Sequence, residues 1–244
     1  MNEKIIEFRA SKQIVQDKEI HPEPARLNIP QWYKDVPNPQ DHRAMTIKAC
    51  KPFLDSLMAG YILKNPIDQV INFNTFNENK NQVGTWIEVH QENKYLKGIN
   101  NTNDGEEIHG LHQVGGMSCP YSKANLGYPI YKILNPWTII LPKGYSALFL
   151  PPVNRLDDRF EILSGIVDSN TNIPTNFPCV FKKQGRWTLE KGTPVASVFP
   201  FKKENCKSKI SIKNQEERLT DLFNYSSKIF RWYTDSIWNK KTWK

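Results

Sequence analysis

The sequence predicts a mainly β protein: an antiparallel barrel or sandwich with an N-terminal extended arm, a short helix near 46–59 and a C-terminal helix. Three observations support this. Residues 135–201 are dense in short apolar and β-branched runs, each bounded by Pro, Gly or Asn. Seventeen prolines against twelve glycines fit many short elements joined by stiff turns and argue against a helical bundle. Nothing in 135–201 supplies the crossover helices of about 10–15 residues that a parallel βαβ sheet needs.

Taken in order, the chain divides into three parts. Residues 1–45 form an N-terminal strand, KIIEFRA, followed by a proline-rich wrapping arm. In that arm Trp32 and Tyr33 follow Pro30, and two large rings anchor an extended segment by burying apolar area; an exposed Trp32 stacking on a ligand is the alternative. Residues 46–213 form the β-rich core domain. It opens with a helix over 46–59, where Phe53, Leu54, Leu57 and Met58 recur at helical spacing and Gly60 supplies the stop. The segments YILKNPIDQVINFNTF and VGTWIEVHQ read as strands joined through NENKNQ. Residues 93–128, rich in Gly, Asn and Asp, form an irregular excursion.

Within 135–201, Trp137, Ile139 and Leu141 alternate with Thr138 and Ile140, and Pro142-Lys143-Gly144 makes a turn. SALFL stops at Pro151-Pro152. ILSGIVD reads as one strand, with a bulge allowed at Gly165. CVF and RWTL read as strands paired across KKQG, and Glu190-Lys191-Gly192 turns into PVASVFPF. KISI, at 209–212, is a further short strand candidate. Residues 214–244 form an amphipathic helix and tail. The helix is expected over 214–238, with Asn214 as N-cap and Glu216 and Glu217 in the favourable first turn; Leu219, Leu222, Phe223, Ser226, Ile229, Phe230, Tyr233 and Ile237 share one stripe.

The order LPKGYSALF, LSGIVDSN, LEKGTPVASVFPF resembles the trimeric dUTPase and dCTP deaminase superfamily, whose fold is a compact β-barrel. By that resemblance Asp168 matches the turn aspartate near the pyrimidine sugar, and Gly192 to Val198 match a later strand. Ser169-Asn170-Thr171 stand where that family has YRG, and Ser197 stands where it has Gln, so the resemblance implies kinship of fold rather than of activity. The same stretch is also similar to a family of uncharacterised microbial and viral β-rich proteins with the pattern GYS…LSGIVD…NFP…KGTPVA, which implies no activity.

The formal charge of +8 suits an anionic partner, yet 25 acidic residues are interleaved with 33 basic ones, which fits solubility equally well. Nucleic acid is therefore an admissible partner but not the favoured one. Cys50, Cys119, Cys179 and Cys206 form no CxxC pair, which points to free thiols. No signal-peptide core and no run of about 18 apolar residues occurs, so a cytoplasmic protein (host cytoplasm or virion, if viral) without membrane contact is expected. The abundance of Asn, Lys and Ile suggests an AT-rich coding genome, microbial or viral.

Candidate chemistry is sparse. Asp168 ends a strand, and His109 with His112 sits in HGLH; these three are the candidate catalytic residues. Glu107, His109 and His112 are the candidate ligands of a 2-His-1-carboxylate metal site. Asp157 and Asp158, between Arg155 and Arg159, read either as a cation or phosphate site or as a solvated turn with local ion pairs. Cys119 is the cysteine most open to solvent by its setting, with His112 as its nearest base in sequence. No GxSxG, GxxxxGKS/T or GxGxxG occurs, which removes the motif-based hydrolase, P-loop and dinucleotide readings. The sequence does not identify a cofactor. The leading expectation is a non-enzymatic structural or binding protein, of phage or viral origin, that assembles with itself or another protein through its β core and aromatic-rich termini. The alternatives are an enzyme acting on a nucleotide or small molecule in a barrel pocket, and a metal-dependent enzyme.

Overall fold

A computed structural model describes residues 4–39, 46–77, 82–91, 108–109, 130–168, 175–227 and 233–241. The chain forms two compact units, one of Met1–Glu23 with Gly60–Lys202 and one of Pro24–Ala59 with Lys203–Lys244.

The first unit is built of strands. In chain order they are β1 (Glu7–Arg9), β2 (Glu23–Pro24, where the chain leaves the unit), β3 (Tyr61–Lys64), β4 (Gln69–Asn77), β5 (Gln82–Gln91), β6 (Ile108–His109) and β7 (Ile130–Ile133). There follow β8 (Thr138–Ile140), β9 (Tyr145–Leu150), β10 (Phe160–Ile162), β11 (Gly165–Asp168), β12 (Phe177–Phe181), β13 (Gly185–Leu189) and β14 (Pro194–Lys202). A short helix, α1 (Lys12–Gln16), follows β1. The strands make four sheets, in the orders β11-β9-β14-β3-β2, β10-β12-β7-β6, β13-β4-β5 and β1-β8. The fold is therefore predominantly β, with antiparallel sheets and few helices. Among the described residues the sheets do not join into one closed barrel.

Period-two patterning explains which side chains enter the core. Phe177, Cys179 and Phe181 of β12 are buried while Pro178 and Val180 between them are less so, and Trp137, Ile139 and Leu141 alternate in the same way around β8. β14 is buried on both faces from Val195 to Val198, as its place between β9 and β3 requires. One apolar cluster draws Ile71, Phe73, Ile133, Phe149, Phe160, Phe177, Trp187 and Val198 from all three larger sheets. Each large side chain buried there contributes about 1.5–3 kcal/mol. Gly60 precedes β3 at φ 71°, and a Cβ there would lie 2.2 Å from the Val198 carbonyl oxygen, so the strand junction requires glycine.

Three local expectations are corrected. CVF and RWTL do not pair. β12 pairs with β10 and β7, and β13 pairs with β4. The link between them is held by Arg159, whose carbonyl accepts from Lys182 and Lys183, and the Phe181 and Trp187 rings meet edge to face at 5.4 Å. ILSGIVD is two strands: Leu163 N–H still bonds Pro178, on the β12 side, while from Gly165 the chain pairs with β9 in another sheet. KISI forms no strand, and Ile210 and Ile212 are 99% and 98% exposed.

The second unit holds α2 (Gln31–Asp35), α3 (Lys51–Met58), α4 (Gln215–Ser227) and a π-helical turn over Tyr233–Ile237. The helix near 46–59 is present, with Pro52 in its first turn and Leu57 buried. The proline-rich stretch, expected to be irregular, contains α2, whose preceding Pro30 can start a helix but not sit within one. Tyr33 is buried and stacks on Phe53 at 5.9 Å, and Trp32 meets both rings edge-on. Asn214 caps α4, its Oδ1 accepting from Glu217 N–H at 2.8 Å. The helix expected over 214–238 is regular to Ser227, and Ile229, Phe230 and Trp232 lie outside the described residues. Among the described residues no helix is long and apolar enough to cross a membrane.

Candidate functional site

Asp168 closes β11 directly opposite Ser146 of β9. The buried Ser146 hydroxyl donates to Asp168 Oδ1 at 2.6 Å, and the Asp168 residue is otherwise exposed. A carboxylate that accepts from a neighbouring serine closes the end of a strand pair. Activating that serine as a nucleophile needs an imidazole or comparable base within reach.

His109 belongs to β6, where its backbone pairs with Ile130 in the sheet of β7, β12 and β10. Asp168 belongs to a different sheet, with β9 and β14. His109 and Asp168 are thus not members of one sheet. Glu107 and His112 lie outside the described residues, as does Cys119. Among the described residues no group of three or more His, Cys, Asp or Glu is arranged to hold a metal ion.

The segment between β9 and β10 carries the Asp/Arg cluster. Two features seat it on the rest of the unit: Val153 N–H donates to Ser197 Oγ at 3.0 Å, and Asn154 adopts a left-handed φ of 55°. Arg159 donates from Nε to Asp157 Oδ1 at 3.1 Å and from Nη2 to Oδ2 at 2.9 Å. Its Nη1 reaches both Glu190 Oε2 and the Thr188 carbonyl at 2.7 Å, and its guanidinium lies 5.7 Å from the Trp187 ring centre. Burial pushes the Asp157 carboxyl up, but hydrogen bonds and charge from Arg159 outweigh it and leave the group below its ordinary value. The Arg159 hydrogen bond likewise lowers Glu190, against a smaller effect of burial. Burial alone lowers Arg155, to about 10. Both Asp157 oxygens are engaged by a guanidinium, so Asp157, Arg159 and Glu190 act as a clamp tying the β9–β10 segment to β13, and the ion-pair reading holds for Asp157 and Arg159.

A second polar centre was not anticipated. Asn65, fully buried after β3, donates from Nδ2 to the carbonyls of Ile67, Leu189 (3.0 Å) and Glu190 (3.2 Å). Its backbone N–H reaches Thr193 and its carbonyl accepts from Gly192. Lys191 N–H donates to Asp68, and its ammonium bridges Asp17 at 2.7 Å and Glu19 at 3.0 Å. The turn into β14 therefore fastens both the β3–β4 connection and the N-terminal segment. Gly192 has φ 80°, and a Cβ there would come within 3.3 Å of Glu19. The Asn65-Pro66 dipeptide was the available signal, since it marks a turn. Nothing in the sequence places it beside Leu189.

In the second unit Asp55 of α3 is the acceptor for Trp238 Nε1 at 3.0 Å and for the Lys241 ammonium at 2.6 Å. Lys51 and Lys241 lie 5.4 and 5.9 Å from the Trp238 ring centre. Leu219, Leu222 and Phe223 of α4 are all exposed, Phe223 to 69%. The described part of the predicted stripe on α4 is thus more than half exposed. Comparison with known proteins finds no matching family model and no matching curated protein.

Proposed function

We propose that this is a non-enzymatic binding protein that assembles with a second copy of itself through its C-terminal segment. The observation that carries the reading is the apolar stripe Leu219, Leu222 and Phe223, set three and four residues apart on α4 and left exposed. Ile210 and Ile212, just before the helix, add two nearly fully exposed aliphatic side chains. A stripe of this kind facing water is unfavourable, and a second α4 offers a matching surface by symmetry. The large apolar cluster fed by three sheets supports a sandwich-like core as the scaffold. The Ser146–Asp168 and Arg159 contacts read as structural ties within that scaffold.

Native mass measurement on the full chain tests the reading. A concentration-dependent dimer is expected, converted to monomer by Leu222→Ser with Phe223→Ser without change in the circular dichroism of the β core. A monomer at micromolar concentration, or a dimer indifferent to those substitutions, overturns it.

A further inference from the structure

The two units differ sharply in charge. Pro24–Ala59 and Lys203–Lys244 hold fifteen Lys and Arg against eight Asp and Glu, a charge of +7, while the remaining residues hold eighteen against seventeen, or +1, of the total +8. The interleaving of signs over the whole chain conceals this separation. Eleven of those fifteen cations are lysines, which meet phosphates as mobile point charges rather than as planar forks matched to carboxylates.

Aromatic rings and lysines lie together on and around α3. Phe53 carries Trp32 and Tyr33 against it, and Lys48 lies 6.0 Å from the centre of the Tyr33 ring. Along the same helix, Lys51 and Asp55 hold Trp238 and Lys241. Two ammonium groups flank one indole there against a single carboxylate. Trp32 remains 45% exposed and Tyr233 is also exposed. The irregular segment 203–213 adds the exposed Lys207 and Lys209 beside Lys213, which pairs with Asp221.

We propose that this unit binds single-stranded nucleic acid, with Lys207 and Lys209 of the 203–213 segment and Lys51 of α3 on phosphates and the exposed Trp32 ring beneath a base. The favoured partner is single-stranded because ring faces reward unstacked bases, which a duplex does not present. The lysine-rich composition predicts little sequence preference, since phosphate contacts position a strand without reading it. The proposal goes beyond self-association and does not depend on it, because α4's acidic first turn, Glu216 and Glu217, takes no part.

The test is fluorescence anisotropy of the full chain with a labelled oligothymidylate, a duplex of equal length, and vesicles of phosphatidylserine and phosphatidylcholine. Expected are tighter binding to the single strand than to the duplex and an affinity that falls steeply with salt. Lys207→Gln with Lys209→Gln, at exposed positions outside any helix or strand, should weaken binding about tenfold at low salt. That pair should also flatten the log–log salt slope by about 1.4, at about 0.7 per phosphate contact. Trp32→Leu should weaken binding several-fold and leave the salt slope unchanged. No binding at low salt, or variants that bind as the parent does, overturns the proposal. Vesicle binding without oligonucleotide binding also overturns it and assigns the surface to an anionic membrane.

Discussion

The side-chain amide of Asn65 donates to the carbonyl of Leu189 at 3.0 Å, across 124 positions of sequence. That bond and its neighbours to Ile67 and Glu190 make a fully buried polar side chain the fastening between β3 and the turn into β14. Asn65→Leu keeps the volume but strands several carbonyls. A loss of about 3 kcal/mol is expected, read as a lower urea midpoint with unchanged slope. A loss below about 1 kcal/mol would show that the carbonyls find other partners.

At Gly60 the two causes of a costly glycine substitution coincide. Its left-handed φ and the 2.2 Å approach of the Val198 carbonyl act together, so Gly60→Ala should destabilise by more than about 3 kcal/mol. Gly165 has open space around its Cβ position, and Gly165→Ala should stay within about 1 kcal/mol of the parent. Equal thermal midpoints for the two variants would contradict this geometry.

Arg159 makes stability depend on acid pH in a defined direction. Asp157 and Glu190 both have folded values depressed below the ordinary 3.8 and 4.5. Stabilisation by such groups is present above the ordinary values and is lost as pH falls through the depressed ones. Arg159→Gln should therefore cost about 1–2 kcal/mol at neutral pH, with the gap to the parent closing as pH drops below the ordinary carboxylate range. Parallel stability curves for the two proteins down to acid denaturation would sink the assignment.

Asp55 is predicted to hold the tail at Trp238 and Lys241. In Asp55→Ala the amides of Tyr233–Ile237 and of the residues up to Lys241 should exchange faster by about tenfold, while the β core keeps its protection. Unchanged exchange in that segment would mean that ring packing, and not the carboxylate, docks it.

The thiols should divide by burial. Cys179 is fully buried and its thiol is raised by desolvation, whereas Cys50 and Cys206 are exposed. Maleimide followed by peptide mapping should label Cys50 and Cys206 in the native protein and Cys179 only after denaturation. Native labelling of Cys179 at a comparable rate would contradict the core described for β12.

Elements governed by neighbours in sequence were legible in advance. The alternation around Ile139, the turn at Glu190-Lys191-Gly192, the helix over Lys51–Met58 and the Asn214 cap all follow from side chains acting within a few residues. Pairings were not legible where two partners compete for one strand. RWTL has the pattern to pair with CVF or with β4, and it pairs with β4 from Gly185 to Leu189. KISI alternates well enough for a strand, but a strand needs a partner edge, and none of the sheets takes it up.

The candidate site shows the same division. The composition and patterning of the chain determined a mainly β protein, its turn positions, a capped C-terminal helix and a net charge of +8. Tertiary structure alone decided that Arg159 closes onto Asp157 and Glu190, that Asn65 lies beneath Leu189, and that +7 of the charge gathers in one unit with Trp32 and Trp238 on α3. Local conformation depends on residues a few positions apart, which a sequence displays. Ion pairs, buried amides and charged surfaces depend on residues brought together from distant positions, and packing of the whole core selects among those arrangements.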